Sequence, residues 1–241
     1  DFDPYDIDQG ILKDVKHVFW DLDHTLWDFD LNSSDTLHEL FIRYNLENEL
    51  KTQVGEFIAA YKRINDSCWD KYRNGLMTKD ELRLARFSLT FSHFDVKEYD
   101  RAEEFGWRYM DECPKKSKLI PGTFEVLNYL KGKYNQHIIT NGFKEVQGVK
   151  QDAAGLKSYF DVVVCSEEVG EKKPHPSVFK YALEKAGANA SESVMIGDNL
   201  EVDALGAQKA GLRGIWFNPE QRLVQHSVIE ITELVELLQI L

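Results

Sequence analysis

The sequence predicts an α/β protein, a parallel sheet covered by helices on both faces and interrupted by an inserted α-helical bundle. Three observations predict it. Short β-rich runs at 137–140, 162–165, 194–197 and 214–217 alternate with helical patterns over 143–154, 176–187, 200–210 and 229–240. Such alternation is the mark of parallel strands buried on both sides. An apolar run over residues 16–22 precedes them and supplies the first strand. Residues 31–113, between that run and the rest, show helical spacing and no strand alternation.

Taken in order, residues 1–10 (DFDPYDIDQG) are acidic, carry little apolar content and read as a loose N-terminal arm. The core begins at residue 11 and runs to 29, and a helical cap domain is expected over 30–115. Within it, Leu37, Leu40, Phe41 and Tyr44 mark one helix face, and Phe57, Ile58, Tyr61 and Ile64 a second. Leu82, Leu84, Ala85, Phe87 and Leu89 follow less regularly, and Phe105, Trp107, Tyr109 and Met110 mark a fourth segment. The aromatic residues Trp69, Tyr72, Trp107 and Tyr109 are expected in the core of this bundle. The sheet domain resumes over 116–241, where Pro121 suits a helix start and Val126, Leu127 and Leu130 would face the core.

Composition narrows the function. The 241 residues are 43% hydrophobic, with no apolar run of the roughly 18 residues a membrane span requires. A formal charge of −12 argues against a nucleic-acid polymer as partner, because phosphate backbones call for a basic surface. The three cysteines, Cys68, Cys113 and Cys165, are odd in number, far apart and without a CxxC pair. They fit a reducing cytoplasm and argue against a thiolate metal site. No membrane partner is expected, and the oligomeric state is left open.

The chemistry lies at the strand ends. The first strand runs into Asp21-Leu22-Asp23-His24-Thr25, two carboxylates one residue apart followed by a hydroxyl. At the end of a strand both can converge on the crevice outside the sheet, where open α/β folds bind ligands. The second strand closes with Thr140-Asn141-Gly142, and the third is followed by Lys172-Lys173-Pro174. The fourth closes with Gly197-Asp198-Asn199, with Asp203 four residues beyond Asn199 and thus on the same helix face. Taken singly, Thr140 also fits a plain strand end, Lys173 a solvated loop, and Asp198 a helix cap, a task open to Asn199. Together they propose Asp21, Asp23, Asp198 and Asp203 opposed by Lys173 and the hydroxyls of Thr25 and Thr140. Carboxylates roughly 4 Å apart repel by about 4 kcal/mol per pair at an effective dielectric near 20. A hard divalent cation relieves that repulsion, and an all-oxygen set with open positions suits Mg²⁺. Calcium lacks an EF-hand spacing here, and zinc lacks a His/Cys cluster.

These residues carry a resemblance to the haloacid dehalogenase (HAD) superfamily of hydrolases. Asp21-Leu22-Asp23-His24-Thr25 resembles its first motif, Thr140 the second, Lys173 before Pro174 the third, and Gly197-Asp198 with Asp203 the fourth. The resemblance implies a Rossmann-like HAD core with the helical insertion as its cap. It also implies Asp21 as nucleophile and Asp23 as the acid that protonates the leaving oxygen and then activates water. Thr140 and Lys173 would be catalytic through the phosphoryl oxygens, with Thr25 and Asn141 also binding phosphate. Asp21, the backbone carbonyl of Asp23, and Asp198 would ligate Mg²⁺, and Asp203 would orient Lys173 or a metal-bound water.

The resemblance implies a Mg²⁺-dependent phosphatase acting on a small phosphorylated metabolite through an aspartyl-phosphate. Asp23 favours this, because true dehalogenases lack the second aspartate. Leu26-Trp27-Asp28-Phe29 resembles the bacterial pyrimidine 5′-nucleotidase subgroup and points to a nucleoside 5′-monophosphate, with a cap aromatic stacking on the base. A 2-haloacid dehalogenase, a sugar-phosphate mutase and a non-catalytic phosphate-binding module are the alternatives.

Overall fold

The computed structural model describes residues 12–97 and 99–241, so the expected arm at 1–10 lies outside the described residues. The chain divides into two compact units, one running up to Phe29 and resuming at Ser117, the other Asp30–Lys116.

The first unit holds a six-stranded sheet in the order β3-β2-β1-β4-β5-β6, with every pairing parallel. The strands are β1 (His17–Trp20), β2 (Asn135–Thr140), β3 (Val162–Cys165), β4 (Ser193–Gly197), β5 (Arg213–Phe217) and β6 (Ile229–Ile231). β1 lies between β2 and β4, so the strand order reverses beside it. In a doubly wound sheet that reversal opens a crevice at the carboxyl ends of the flanking strands.

The sheet buries both faces, which is why its strands read as near-continuous apolar runs. On one face, Phe19, Ile139, Val164 and Met195 pack against Val178, Phe179 and Ala182 and against Ala207. Those partners come from the helices Pro176–Ala186 and Leu205–Lys209. On the other face, the Trp20 indole donates to Gln136 Oε1 at 3.2 Å, and Gln136 Nε2 donates to the Leu127 carbonyl at 3.1 Å in the helix Thr123–Leu130. The helix Lys144–Ala153 comes after β2.

The C-terminal stretch departs from the helix expected over 229–240. Residues 229–231 form β6, and only a 3-10 turn (Leu234–Glu236) and a short helix (Leu237–Ile240) come after it. The apolar residues at 228, 231, 234 and 235 satisfy a helical period, but β5 would otherwise be an open edge. The β-branched pair Ile229 and Ile231 meets that edge in register with Ile215 and Phe217.

The second unit is helical: Phe29–Arg43 (its first residue belonging to the sheet unit), Leu46–Leu50, Val54–Arg73, Lys79–His93 and Tyr99–Glu112. Thr78 starts the fourth of these with a capping box, in which the Glu81 amide donates to Thr78 Oγ1 and the Thr78 amide donates back to Glu81 at 2.7 Å. Its core is aromatic, with Phe57, Phe91 and Phe105 mutually packed at centroid distances of 5.4–5.9 Å. Tyr72 and Tyr109 are buried as expected, but Trp107 is 52% exposed, its indole donating to Glu103. One turn N-terminal, Glu103 accepts the indole N–H at the surface, which the packed rings of the core cannot do. No helix among the described residues is long and apolar enough to cross a membrane.

His137 on β2 is buried, stacks on His17 with ring centroids 5.4 Å apart, and has no partner at Nδ1. Burial, with the neighbouring His17, lowers its pKa to about 4, against an opposing pull from Asp161. The folded state therefore binds this proton less readily than the unfolded chain. Stability from this group is complete above about pH 6.5 and falls as the pH drops towards 4, by up to about 3 kcal/mol. Denaturant titrations of wild type and His137→Gln across this window should diverge with falling pH, wild type losing more.

Candidate active site

β1 delivers its two carboxylates through a tight turn. The Asp21 amide still donates to the Ile196 carbonyl at 2.9 Å, continuing the sheet, and the chain then folds back on itself. The Leu22 carbonyl accepts from the amides of Leu26 and Trp27 at 3.0 and 2.9 Å, and His24 takes a left-handed φ of 65°. Leu22, Leu26 and Trp27 are fully buried and anchor this turn from beneath. The chain leaves and re-enters the unit side by side, with Asp28 N–H on the Lys118 carbonyl at 3.1 Å and Ile120 N–H on the Leu26 carbonyl at 2.9 Å.

Segments following three strands, β1, β3 and β4, meet around Asp21. Lys173 Nζ donates to Asp21 Oδ1 at 2.9 Å and to Asp203 Oδ1 at 2.6 Å, and its side chain is 2% exposed. Thr25 Oγ1 lies 3.5 Å from Asp21 Oδ2 and 3.4 Å from Asp198 Oδ1, and accepts the Asp198 amide at 3.1 Å. Oxygens of Asp21, Asp198 and Asp203 all lie within 4.8 Å of one another. Asn199, not Asp198, caps the adjoining turn by accepting from the Val202 amide at 3.0 Å. That turn, Leu200–Ala204, is π-helical, a local widening that recurs at functional sites. It presents Asp203 back to the crevice, where Asp203 Oδ2 accepts the Asn199 amide at 3.1 Å. Gly197 is required here, since a Cβ on it would collide with the Asp203 carboxylate.

This crowding sets the electrostatics. Burial, with Asp203 and Asp198 adding to it against Lys173, pushes the Asp21 carboxyl well above the ordinary aspartate range. Burial and Asp203 push Asp198 up to about 7. Burial alone would lower the Lys173 ammonium, but Asp203 and Asp21 outweigh it and hold it above lysine's usual value. Three acids share one buried cation, and the group remains short of positive charge. The donor set, all carboxylate oxygen, fits a hard divalent ion of the Mg²⁺ type. Asp203 has both oxygens engaged, by Lys173 and by the Asn199 amide, which leaves Asp21 and Asp198 as the freer donors.

Thr140, Asn141 and Asp23 have other partners. Thr140 is buried at the end of β2, where its Oγ1 accepts the Gly142 amide at 3.0 Å. The Asn141 side chain is committed to the backbone of Lys173, accepting from its amide at 2.8 Å and donating to its carbonyl at 3.0 Å. It holds the lysine loop against β2. His175 is exposed and caps the helix Pro176–Ala186. The Asp23 side chain stands apart from the other acids: Oδ1 accepts from Lys150 Nζ at 2.6 Å and Oδ2 from Gln147 Nε2 at 3.3 Å.

Gln147 and Lys150 do not stand out in the sequence. They lie on the helix Lys144–Ala153, where Gln147, Lys150 and Gln151 are buried while Val149 is exposed. The signal available is this reversed pattern, with amides and a lysine at i, i+3 and i+4 just after Thr140-Asn141-Gly142. Trp216 and Arg222 are further residues that sequence reasoning misses; they donate to the Asp198 carbonyl at 2.9 and 3.0 Å.

The chain is similar to known proteins. The family model of haloacid dehalogenase-like hydrolases matches residues 15–211. The chain is 35% identical to pyrimidine 5′-nucleotidase YjjG of Escherichia coli over 85% of this chain and 87% of that protein. It is 30% identical to pyrimidine 5′-nucleotidase PynA of Streptococcus pneumoniae over 85% and 84% of the two chains. The magnesium-bound crystal structure of the HAD-hydrolase YfnB of Bacillus subtilis superposes with a TM-score of 0.83 at 29% identity, covering 94% of this chain and 98% of that one. With the family match spanning the first four strands, their motif turns and the helical insertion, this chain belongs to the haloacid dehalogenase-like hydrolases.

Proposed function

We propose that the chain is a Mg²⁺-dependent phosphatase that hydrolyses a small phosphate monoester through an aspartyl-phosphate, with a nucleoside 5′-monophosphate as the substrate class. The observation that carries this reading is the separation of the two motif carboxylates. Asp21 sits in the acidic cluster beside Lys173, whereas Asp23 is turned to a different set of donors. This difference supports one group as the attacking nucleophile and the other as the proton donor and acceptor. The nucleotide assignment rests on the similarity to two proteins named pyrimidine 5′-nucleotidases.

In the first half of the proposed reaction, an Asp21 oxygen attacks phosphorus in line with the ester oxygen. The P–O bond to the leaving group breaks, and Asp23 gives its proton to the departing oxygen. In the second half a water attacks the phosphoryl group, Asp23 takes its proton, and Asp21 departs as a carboxylate with release of phosphate. Lys173 spends two of its three donors on Asp21 and Asp203 and offers the third to a phosphoryl oxygen. Thr140 and Thr25 supply hydroxyl donors, Asn141 keeps the Lys173 loop in place, and Asp203 fixes the ammonium. Mg²⁺, held by Asp21, Asp198 and the Asp23 carbonyl, would neutralise charge on the phosphoryl group and the cluster.

A 2-haloacid dehalogenase is disfavoured by Asp23, since a halide leaves without a proton. Nothing in the helical insertion speaks for a mutase. Cys68, Cys113 and Cys165 are all buried, and a reducing cytoplasm is the setting proposed.

Phosphate release from an aryl phosphate should require Mg²⁺ and fall by at least about 10³-fold in Asp21→Asn. Turnover surviving that change would sink the covalent route, failure of wild type on a nucleoside monophosphate panel alone would remove the nucleotide assignment, and silence on both substrates would leave a binding module. Halide release from a 2-haloacid should be absent in the same preparations.

Mg²⁺ should also raise the melting temperature by relieving the crowded acids, with about 2.7 kcal/mol gained at one hundred times the dissociation constant. Asp198→Asn should abolish most of that gain, and an unchanged Mg²⁺ response would remove Asp198 from the ligand set.

A further inference from the structure

We infer that Lys150, assisted by Gln147, is a positioning residue that holds the Asp23 carboxylate in its working orientation. The inference rests on the phosphatase reading above, in which Asp23 handles the proton of the leaving group.

Lys150 is 4% exposed, an unusual fate for a lysine. Among the described residues its one carboxylate partner is Asp23, at 2.6 Å. The ammonium also lies over two aromatic rings, with the Trp27 ring centroid at 4.3 Å and that of Phe29 at 5.4 Å. Both rings belong to the chain segment that carries Asp23. The ammonium therefore contacts both the rings and the carboxylate, and a charge stripped of water in this way holds its partner firmly. The lysine stands on the last turn of the helix Lys144–Ala153, a rigid element whose carboxyl end favours a cation.

Asp23 needs such a hold. It sits on the turn after β1, next to a residue at φ 65°, and its side chain keeps 22% exposure. A carboxylate there would swing towards water unless tied. Lys150 takes one oxygen and Gln147 the other. Gln147 in turn lies 3.4 Å from Thr140 Oγ1 through its own Oε1, so the acid is registered against the end of β2 as well. Each carboxylate oxygen keeps a second lone-pair site for the reacting proton. Gly142 completes the arrangement, because a Cβ there would collide with the Gln147 amide.

A misoriented acid hurts poor leaving groups most, since an activated aryl oxide departs with little protonation. The test is kcat/KM, which reports the phosphoryl-transfer half-reaction, for p-nitrophenyl phosphate and for an alkyl phosphate at saturating Mg²⁺. Lys150→Met keeps the apolar stem against Trp27 and Phe29 and removes the charge. We expect it to raise the aryl-to-alkyl ratio at least about tenfold, with Lys150→Arg restoring the ratio to within about threefold of wild type. A ratio unchanged within about twofold, whatever the overall rate, would overturn the inference by showing a merely structural lysine. Should Lys150→Met fail to fold, Gln147→Leu decides by the same criterion, since it frees the other Asp23 oxygen. Asp23→Asn is run beside them: if it leaves the ratio unchanged, the acid assignment itself falls, which separates that failure from one confined to Lys150.

Discussion

The buried Lys173 ammonium between Asp21 and Asp203 is the interaction on which the rest depends. Three carboxylates within 4.8 Å of one another cannot all stay ionised without positive charge among them. The lysine supplies part of it, and the remaining deficit is one that a divalent cation would fit. No local stretch of chain could assemble this group, because its members come from three segments spread over more than 180 residues. A stiff parallel sheet can, since its strand ends are fixed relative to one another by the hydrogen-bond ladder. The details serve that convergence. Gly197 lacks a side chain so that Asp203 can reach inwards, and Thr25 links the first motif to the fourth.

Much of this is legible in the order of the amino acids alone. Carboxylates that end an apolar run stand out because the pattern of burial changes abruptly there. The strand–helix alternation after residue 120 is equally plain. Other features stay hidden for physical reasons. Residues 228–235 satisfy a helical period and a strand period at once, and only the open edge of β5 decides between them. Trp107 looks like a core residue by type, yet its indole is served by Glu103 on the surface. The pair Gln147 and Lys150 is concealed because buried polar residues on a helix resemble a solvated face until the partner is known. Here the partner, Asp23, lies 127 residues away from Lys150.

The first motif thus feeds two environments from one turn. Asp21 stays in line with the sheet and joins the acidic cluster, and Asp23, two residues on, meets a lysine backed by two aromatic rings. The left-handed residue between Asp23 and Thr25 makes the division possible. It reverses the chain quickly enough for Thr25 to return to the cluster while Asp23 does not. Two like acids so close in sequence acquire different neighbours, and with them different tasks on the reading proposed here.

The family match ends at residue 211, yet the C-terminal segment beyond it is no appendix. The Trp216 indole and the Arg222 guanidinium both grip the Asp198 carbonyl, Arg222 leans over the Trp216 ring, and Asn218 ties the segment to β6. The loop bearing one of the shared acids is therefore braced by residues that belong to no motif. Substitutions in this tail have a mechanical route to the centre of the site, and an enzyme of this kind can be retuned from its C-terminus while every signature residue stays in place.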